Sequence, residues 1–99
     1  MGVSLIAHHC RTSDRTPGGA RGVDALAPLL AKRLGTEPRD IGTPEPARES
    51  RWDDDLRDSR GCILEAGGQV DDALSGANVP VLLAADCSIA LTTLAAALA

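Results

Sequence analysis

The chain has 99 residues, of which 43% are hydrophobic and 24% are charged, and its formal net charge is −4. This length allows one small domain, and this composition is typical of a folded protein rather than a disordered one. The chain has no run of basic residues and contains one Trp but no Phe or Tyr, so it is not expected to bind nucleic acid. Its apolar runs are too short to span a membrane.

The cysteines and the first residues bear on the cellular compartment. The three cysteines form no CxxC pair, which argues against a disulfide framework and against a structural zinc site. Cys10 and Cys62 are therefore predicted to be ordinary thiols. Residues 1–7 lack the basic region and the long apolar stretch of a signal peptide. A reducing, cytoplasmic environment is predicted.

The first predicted elements are a strand and an amphipathic helix. Residues 3–8 are mostly apolar and predict a short strand, which is followed by a turn-rich loop. A helix is predicted from Gly22 to Leu34, with Asp24 as a possible N-cap. Gly35 is predicted to end it, and Pro28 is tolerable only near its first turn. The predicted buried face consists of Val23, Leu26, Leu30 and Leu34.

A second strand and a second helix follow. Residues 39–42 predict a short edge strand because the flanking residues are polar. A long helix is predicted to begin at Ser50 and to end near Leu74, before the turn formed by residues 75–78. Its predicted buried face consists of Leu56, Ile63, Gly67, Val70 and Leu74.

The third strand and the last helix carry the most informative residues. Residues 81–85 are apolar without alternation, which predicts a strand buried on both faces, and Pro80 is acceptable at its beginning. Asp86 or Ser88 is predicted to cap the helix that follows. Residues 88–99 contain no charge, so this helix is predicted to be buried on all sides.

The alternation of these elements predicts an α/β fold. Strand, helix, strand, helix, strand and helix follow one another, and right-handed crossovers make the three strands a parallel sheet with helices on its faces. Cys87 then lies between the carboxyl end of the third strand and the beginning of the last helix. Ligands bind at this edge in open α/β sheets, so Cys87 is a candidate site residue.

The residues around Cys87 carry a family resemblance. Ala84-Ala85-Asp86-Cys87-Ser88 resembles the Gly-Gly-Asp-His-Ser signature of the arginase/agmatinase (ureohydrolase) superfamily, although both glycines and the His are replaced. Gly22-Val23 to Leu34 is also similar to the first helix of that family. The signature His binds one of two manganese ions, so the resemblance implies a metal-binding Cys87 with Asp86 orienting it. Branches that hydrolyse N-hydroxyarginine are similar in carrying Cys at this place.

The resemblance implies a three-layer α/β/α arginase-like fold, of which residues 1–99 would be a single incomplete domain from the N-terminal portion. The complete enzyme would hydrolyse a guanidino C–N bond of a small substrate such as arginine, agmatine or N-hydroxyarginine, with manganese as cofactor. The family's Asp-x-His-x-Asp motif is missing from these residues, and the single match to its Asp-x-Asp motif, Asp53-Asp54-Asp55, is predicted to be the solvated start of a helix. This chain by itself is therefore predicted to be inactive, and a soft thiolate would hold Mn²⁺ poorly.

Two alternatives remain open. The chain is a non-catalytic α/β module that forms a homo-oligomer or binds a partner through the third strand and the last helix, since an unpaired apolar strand edge favours association. Alternatively, it is a small zinc-binding domain that uses His8 or His9 together with Cys87. Adjacent residues of a strand point to opposite faces, so only one of the two histidines is able to join the thiol.

Overall fold

The computed structural model describes residues 2–9, 18–42, 60–85 and 87–99. The described elements are β1 (Val3–His8), α1 (Gly18–Leu34), β2 (Arg39–Ile41), α2 (Arg60–Ser75), β3 (Val79–Ala84), a 3₁₀ turn (Cys87–Ile89) and α3 (Ala90–Leu98). The strands form one sheet in the order β2-β1-β3, and both pairings are parallel. The predicted α/β class and the parallel three-stranded sheet are confirmed. None of the described helices is long and apolar enough to cross a membrane.

The central strand β1 organises the core. Its residues Leu5, Ile6 and Ala7 are completely buried. Ile6 and Ala7 are neighbours in the strand and therefore point to opposite faces of the sheet. Ile6 belongs to an apolar cluster with α2, whereas Ala7 packs against α1. The cluster around Ile6 comprises Ile6, Ile41, Ala66, Val70 and Ile89.

Helix α1 begins four residues before the predicted start and buries a different face. Leu26 and Leu34 are exposed, so the prediction that leucines line the buried face is wrong for them. Hydrophobic periodicity does not distinguish an alanine face from a leucine face, and small residues allow the helix to approach the sheet closely. Asp24 and Pro28 both lie inside the helix, which corrects their predicted places in its first turn. The buried residues of α1 are Ala20, Val23 and Ala27.

Helix α1 ends at the predicted residue. Gly35 has a φ of 66°, in the left-handed region that favours glycine. The Thr36 amide donates to the Ala31 carbonyl over 3.1 Å, which gives an otherwise unpaired carbonyl of the last turn a partner. The stop signal read from the sequence is therefore confirmed.

In helix α2, as in α1, the buried face lies one residue away from the predicted leucine. Leu74 is 43% exposed, whereas Ala73 beside it is buried, so the prediction for Leu74 is wrong. Ser50 and Leu56, where the helix was predicted to begin, lie outside the described residues. The buried residues of the described part are Ile63, Ala66, Gly67, Val70 and Ala73.

The C-terminus of α2 places an alanine where glycine is preferred. The Ala77 amide donates to the Leu74 carbonyl over 3.0 Å, and the Asn78 amide donates to the Ala73 carbonyl over 2.8 Å. These two bonds form a Schellman motif, whose C′ residue takes a left-handed conformation. That residue is Ala77, with a φ of 58°. Gly76 lies one residue before Ala77, and therefore not at the position whose left-handed backbone favours glycine.

Replacing Ala77 with Gly is expected to raise the free energy of unfolding by about 1 kcal/mol, because glycine has no Cβ to strain the left-handed backbone. Urea denaturation followed by circular dichroism measures the change. The matched control is Gly76→Ala, whose added Cβ would lie 3.5 Å from the Asp72 carbonyl oxygen, an ordinary contact. A loss of stability in Ala77→Gly would contradict the strain assigned to this turn.

Strand β3 and helix α3 are less buried than predicted. The middle of β3 is only partly buried and Val79 is exposed, because β3 is an edge strand and no described strand pairs with its outer side. Helix α3 has no buried residue, which corrects the prediction that it is covered on all sides. Its exposed leucines share one face of the helix, at spacings of three and four. They are Leu91 (63% exposed), Leu94 (59%) and Leu98 (78%).

The predicted cap of α3 is tested only in part. Ile89 occupies the N-cap position of the α-helix and makes no side-chain cap bond, so Ser88 does not hold that position. Asp86, the other predicted cap, lies outside the described residues. The hydroxyl of Thr93 donates instead to the Ile89 carbonyl over 3.0 Å, a bond back to the preceding turn.

Candidate functional site

The carboxyl ends of the three strands meet at one edge of the sheet. In the parallel register, His8 lies opposite Ile41 of β2 and opposite Ala84 of β3. The Ala85 amide donates to the His8 carbonyl over 3.3 Å, which continues this register past the end of β3. Cys87 follows two residues later and begins the 3₁₀ turn. The histidines, the thiol and the strand ends therefore belong to the edge at which open α/β sheets bind ligands.

His8 is completely buried on the side of the sheet that faces α2. Its Nε2 atom lies 3.3 Å from the carbonyl oxygen of Cys62, a residue in the first turns of α2. The tautomer that carries the proton on Nε2 donates this hydrogen bond. A metal ion that used Nε2 of His8 would have to displace this carbonyl, so the observed ring position serves packing against α2.

His9 lies between two carboxylates on the other side of the sheet. Its Nε2 atom is 3.0 Å from Oδ1 of Asp40 in β2, and its Nδ1 atom is 3.2 Å from Oδ1 of Asp24 in α1. The Nδ1 contact is short, but its angles are outside hydrogen-bond geometry, so it is an electrostatic contact rather than a directional bond. The His9 ring thus links α1 to β2 beside β1, and it is itself buried.

Replacing His9 with Gln is expected to lower the free energy of unfolding by about 1 kcal/mol, mainly because the amide fills the space of the buried ring less well. The two carboxylates are more than half exposed, so water screens them and each contributes little by itself. Asp24→Asn and Asp40→Asn are therefore expected to change stability by less than about 0.5 kcal/mol each. Chemical denaturation compares the three variants. A loss of stability in Asp40→Asn as large as that in His9→Gln would show that the contact with the Asp40 carboxylate, and not the buried ring, provides the stability.

The sequence pattern does not indicate the contacts of Asp24 and Asp40 with His9. It predicts Asp24 as a helix cap and residues 39–42 as an edge strand with polar flanks. Asp40 lies opposite Ala7 in the register, close to where His9 follows β1. This proximity is deducible only once β1 and β2 are known to be neighbours, and no local pattern in the sequence places α1 beside them.

The cysteines differ from one another in the structure. Cys62 is disulfide-bonded, so the prediction that it is an ordinary thiol is wrong. Disulfides are uncommon in the reducing cytoplasm, and the cytoplasmic prediction loses the support that it drew from the cysteines. Cys87 is a free and exposed thiol. Cys10 lies outside the described residues.

The residues proposed for metal binding are only partly brought together. His8 and His9 reach opposite sides of the sheet, as the alternation of a strand requires. Within residues 2–9, 18–42, 60–85 and 87–99 there is no group of three or more His, Cys, Asp or Glu side chains that could hold a metal ion. Asp86, predicted to orient Cys87, is not among these residues.

The described elements define a class of protein, a parallel α/β unit in which a cysteine-bearing 3₁₀ turn is the next element after the last described strand. The chain is similar to the N(omega)-hydroxy-L-arginine amidinohydrolase of Streptomyces lavendulae, with 27% identity over 92 residues. The similar region covers 93% of this chain and 34% of that enzyme, so the chain spans about a third of the length of the curated relative it matches. No family model matches the chain. The similarity is distant, and it supports a ureohydrolase-like origin.

Proposed function

We propose that the chain is the N-terminal portion of a ureohydrolase-like enzyme that hydrolyses a guanidino C–N bond in a small substrate of the arginine, agmatine or N-hydroxyarginine class. The observation that carries this proposal is the similarity of 93% of the chain to an N(omega)-hydroxy-L-arginine amidinohydrolase. The parallel α/β architecture agrees with it. The complete enzyme would have a three-layer α/β/α fold and use manganese.

Cys87 is the residue that we propose for the metal position, with Asp86 orienting it. Support comes from the place of Cys87 in the chain, three residues after the end of β3 at the carboxyl edge of the sheet. The thiol is free and exposed, so a ligand is able to reach it. A thiolate is a soft ligand and Mn²⁺ prefers oxygen and imidazole, so Cys87 alone would bind this ion weakly.

The described residues do not by themselves fit a manganese site. Manganese needs several oxygen or imidazole ligands, and no suitable group of three side chains exists in the described part of the chain. The His8 ring contacts the Cys62 carbonyl, and the His9 ring contacts Asp24 and Asp40. No hydrolytic step is therefore assigned to these residues, and the chain by itself is expected to be inactive.

The expected absence of activity is tested by incubating the purified 99-residue chain with Mn²⁺ and each of arginine, agmatine and N-hydroxyarginine. The measurement is the release of urea or a urea analogue, and Cys87→Ala is the control for a contribution from the thiol. No release above the level of the control is expected. Release that depends on Cys87 would show that these residues are sufficient for catalysis and would overturn the prediction.

The family proposal has a separate test in the coding sequence that follows Ala99. An Asp-x-His-x-Asp motif within a few dozen residues would supply the oxygen and imidazole ligands that the described residues lack. An open reading frame without such a motif would refute the proposal that this chain belongs to a guanidino hydrolase.

We also propose a second candidate function, that of a non-catalytic module that associates through β3 and α3. The observation in its favour is the apolar character of this part of the molecule, in which no described strand pairs with the outer side of β3. Val79 of β3 and three leucines of α3 are exposed, and the described residues 79–85 and 87–99 carry no charged side chain. Exposed apolar side chains that lie together are typical of interaction sites in soluble proteins.

Metal content separates these proposals from a zinc-binding domain that uses His8 or His9 with Cys87. The protein is purified without added metal and analysed by mass spectrometry for bound ions. Stoichiometric zinc that is lost in Cys87→Ala would favour the zinc domain. A metal-free protein would exclude it, since a structural zinc site with thiolate and imidazole ligands retains its ion.

A further inference from the structure

We propose that Cys62 is joined to Cys10, and that this disulfide is a redox-sensitive clasp between the carboxyl end of β1 and the first turns of α2. Neither proposed function uses this bond, so the inference stands or falls separately from them. Cys10 lies outside the described residues, and its pairing is inferred from the state of the other two cysteines and from the contact between β1 and α2.

The state of the cysteines leaves one partner for Cys62 within the chain. The chain has three cysteines, Cys10, Cys62 and Cys87. Cys62 is disulfide-bonded, whereas Cys87 is a free thiol. A disulfide joins two sulfur atoms, and the structure consists of a single chain. The second sulfur atom therefore belongs to Cys10.

The packing of α2 against β1 agrees with this pairing. The Nε2 atom of His8 lies 3.3 Å from the Cys62 carbonyl oxygen, so the first turns of α2 reach the carboxyl end of β1. The His9 amide donates to the Ile41 carbonyl over 2.9 Å, and the chain thus follows β2 for one residue past the end of β1. Residues two apart on an extended chain share a side and lie about 7 Å apart. An extended chain would therefore bring Cys10 to the side of His8 that faces Cys62.

The proposed bond has a global and a local effect. It closes a loop of about 50 residues, which restricts the unfolded chain and stabilises the folded state. It also ties α2 to the edge of the sheet that carries His8 and His9. Reduction of the bond is therefore expected to destabilise the whole fold and to loosen this edge more than the opposite one.

The bond forms by exchange with a small-molecule disulfide such as oxidised glutathione. One protein thiolate attacks the small disulfide and releases half of it as a thiol, and the second protein thiolate then attacks the mixed disulfide and releases the other half. The two protein thiols lose two electrons and two protons, which the small disulfide gains. An excess of the small thiol reverses both steps, so the ratio of small thiol to small disulfide sets the fraction of clasped chain.

The pairing is tested on the full 99-residue chain, which is oxidised with glutathione disulfide, alkylated and digested with trypsin and Glu-C. These proteases place the three cysteines on three peptides, residues 1–11, 61–65 and 66–99. Mass spectrometry is expected to find residues 1–11 joined to residues 61–65, with Cys87 alkylated. Residues 61–65 joined to residues 66–99 or to a second copy of themselves, or three alkylated cysteines, would overturn the pairing.

The effect on stability is tested with Cys62→Ser and the matched control Cys87→Ser. The oxidised original chain is expected to unfold about 10 °C or more above the reduced chain. Reductant is expected to have no such effect on Cys62→Ser and its full effect on Cys87→Ser. An original chain that unfolds at the same temperature with and without reductant, or a Cys87→Ser variant that has lost the difference, would contradict the clasp.

The local effect is measured by amide hydrogen exchange in the oxidised and the reduced chain. The Ala85 amide donates to the His8 carbonyl at the carboxyl edge, whereas the Val79 amide donates to the Gly2 carbonyl at the opposite edge. Reduction is expected to accelerate exchange of the His9 and Ala85 amides several-fold more than that of Val79. Equal acceleration at both edges would show that the disulfide acts only on the unfolded chain, and the clasp would be refuted.

Discussion

Replacing Ile6 with Ala is expected to lower the free energy of unfolding by about 3 kcal/mol. Ile6 is completely buried in β1 and contacts a cluster that joins β2, α2 and the 3₁₀ turn. The truncation removes apolar area from the core and leaves a cavity, and both effects destabilise the folded state. The total free energy of unfolding of a domain of this size is expected to be about 5 to 15 kcal/mol, so the loss is a large part of it. Urea denaturation measures it.

The control for this prediction is Leu98→Ala, which removes an aliphatic side chain that is 78% exposed. It is expected to change stability by less than about 0.5 kcal/mol. Ile6→Val is a milder second variant, with an expected loss of about 1 kcal/mol, and it remains measurable if Ile6→Ala does not fold. Equal effects of Ile6→Ala and Leu98→Ala would contradict the placement of the core at β1.

The second large effect is expected from Gly67→Ala in α2, with a loss of about 2 kcal/mol. A Cβ atom at Gly67 would lie 2.7 Å from Cβ of Thr92 and 3.2 Å from the Thr92 carbonyl oxygen in α3. Such distances force the two helices apart. The separation would also disturb the hydrogen bond that the Thr92 hydroxyl donates to the Ile63 carbonyl. Thermal or chemical unfolding of the variant tests the prediction.

Gly68→Ala is a matched control one residue further along the same helix. A Cβ atom at Gly68 meets no atom within 4 Å, so only the helix propensity changes. Alanine is favoured over glycine inside a helix, and Gly68→Ala is expected to gain about 1 kcal/mol. If the two variants behaved alike, the close approach of α2 and α3 at Gly67 would be refuted.

Local sequence patterns predicted the elements of this fold well, but they predicted the buried faces less well. Strand β1 is predicted to the residue, and Gly35 ends α1 where its sequence indicates. In α1 and α2 the leucines were assigned to the core, but the structure buries alanines beside them, such as Ala27 and Ala73. A helix offers several apolar faces, and only the distance to the sheet selects the face made of small residues.

For the candidate site, as for the fold, the sequence predicts the position of the residues but not their contacts. The order of the elements was sufficient to place Cys87 and the two histidines at the carboxyl edge of a parallel sheet. The partners of the histidines were not predictable, because Asp24, Asp40 and the Cys62 carbonyl come from three different elements. Their approach depends on how α1, β2 and α2 pack around β1, and no local spacing encodes it.

Local sequence patterns are sufficient to predict the α/β class, the succession of strands and helices and the turn in which Cys87 lies, because hydrophobic periodicity and stop signals act over a few residues. The packing of the elements is needed to show that β1 is central, that no described strand pairs with the outer side of β3 and that α3 exposes its leucines. These features depend on which surfaces meet in space. A strand that is uniformly apolar in sequence has the same local pattern whether both of its edges are paired or one is open.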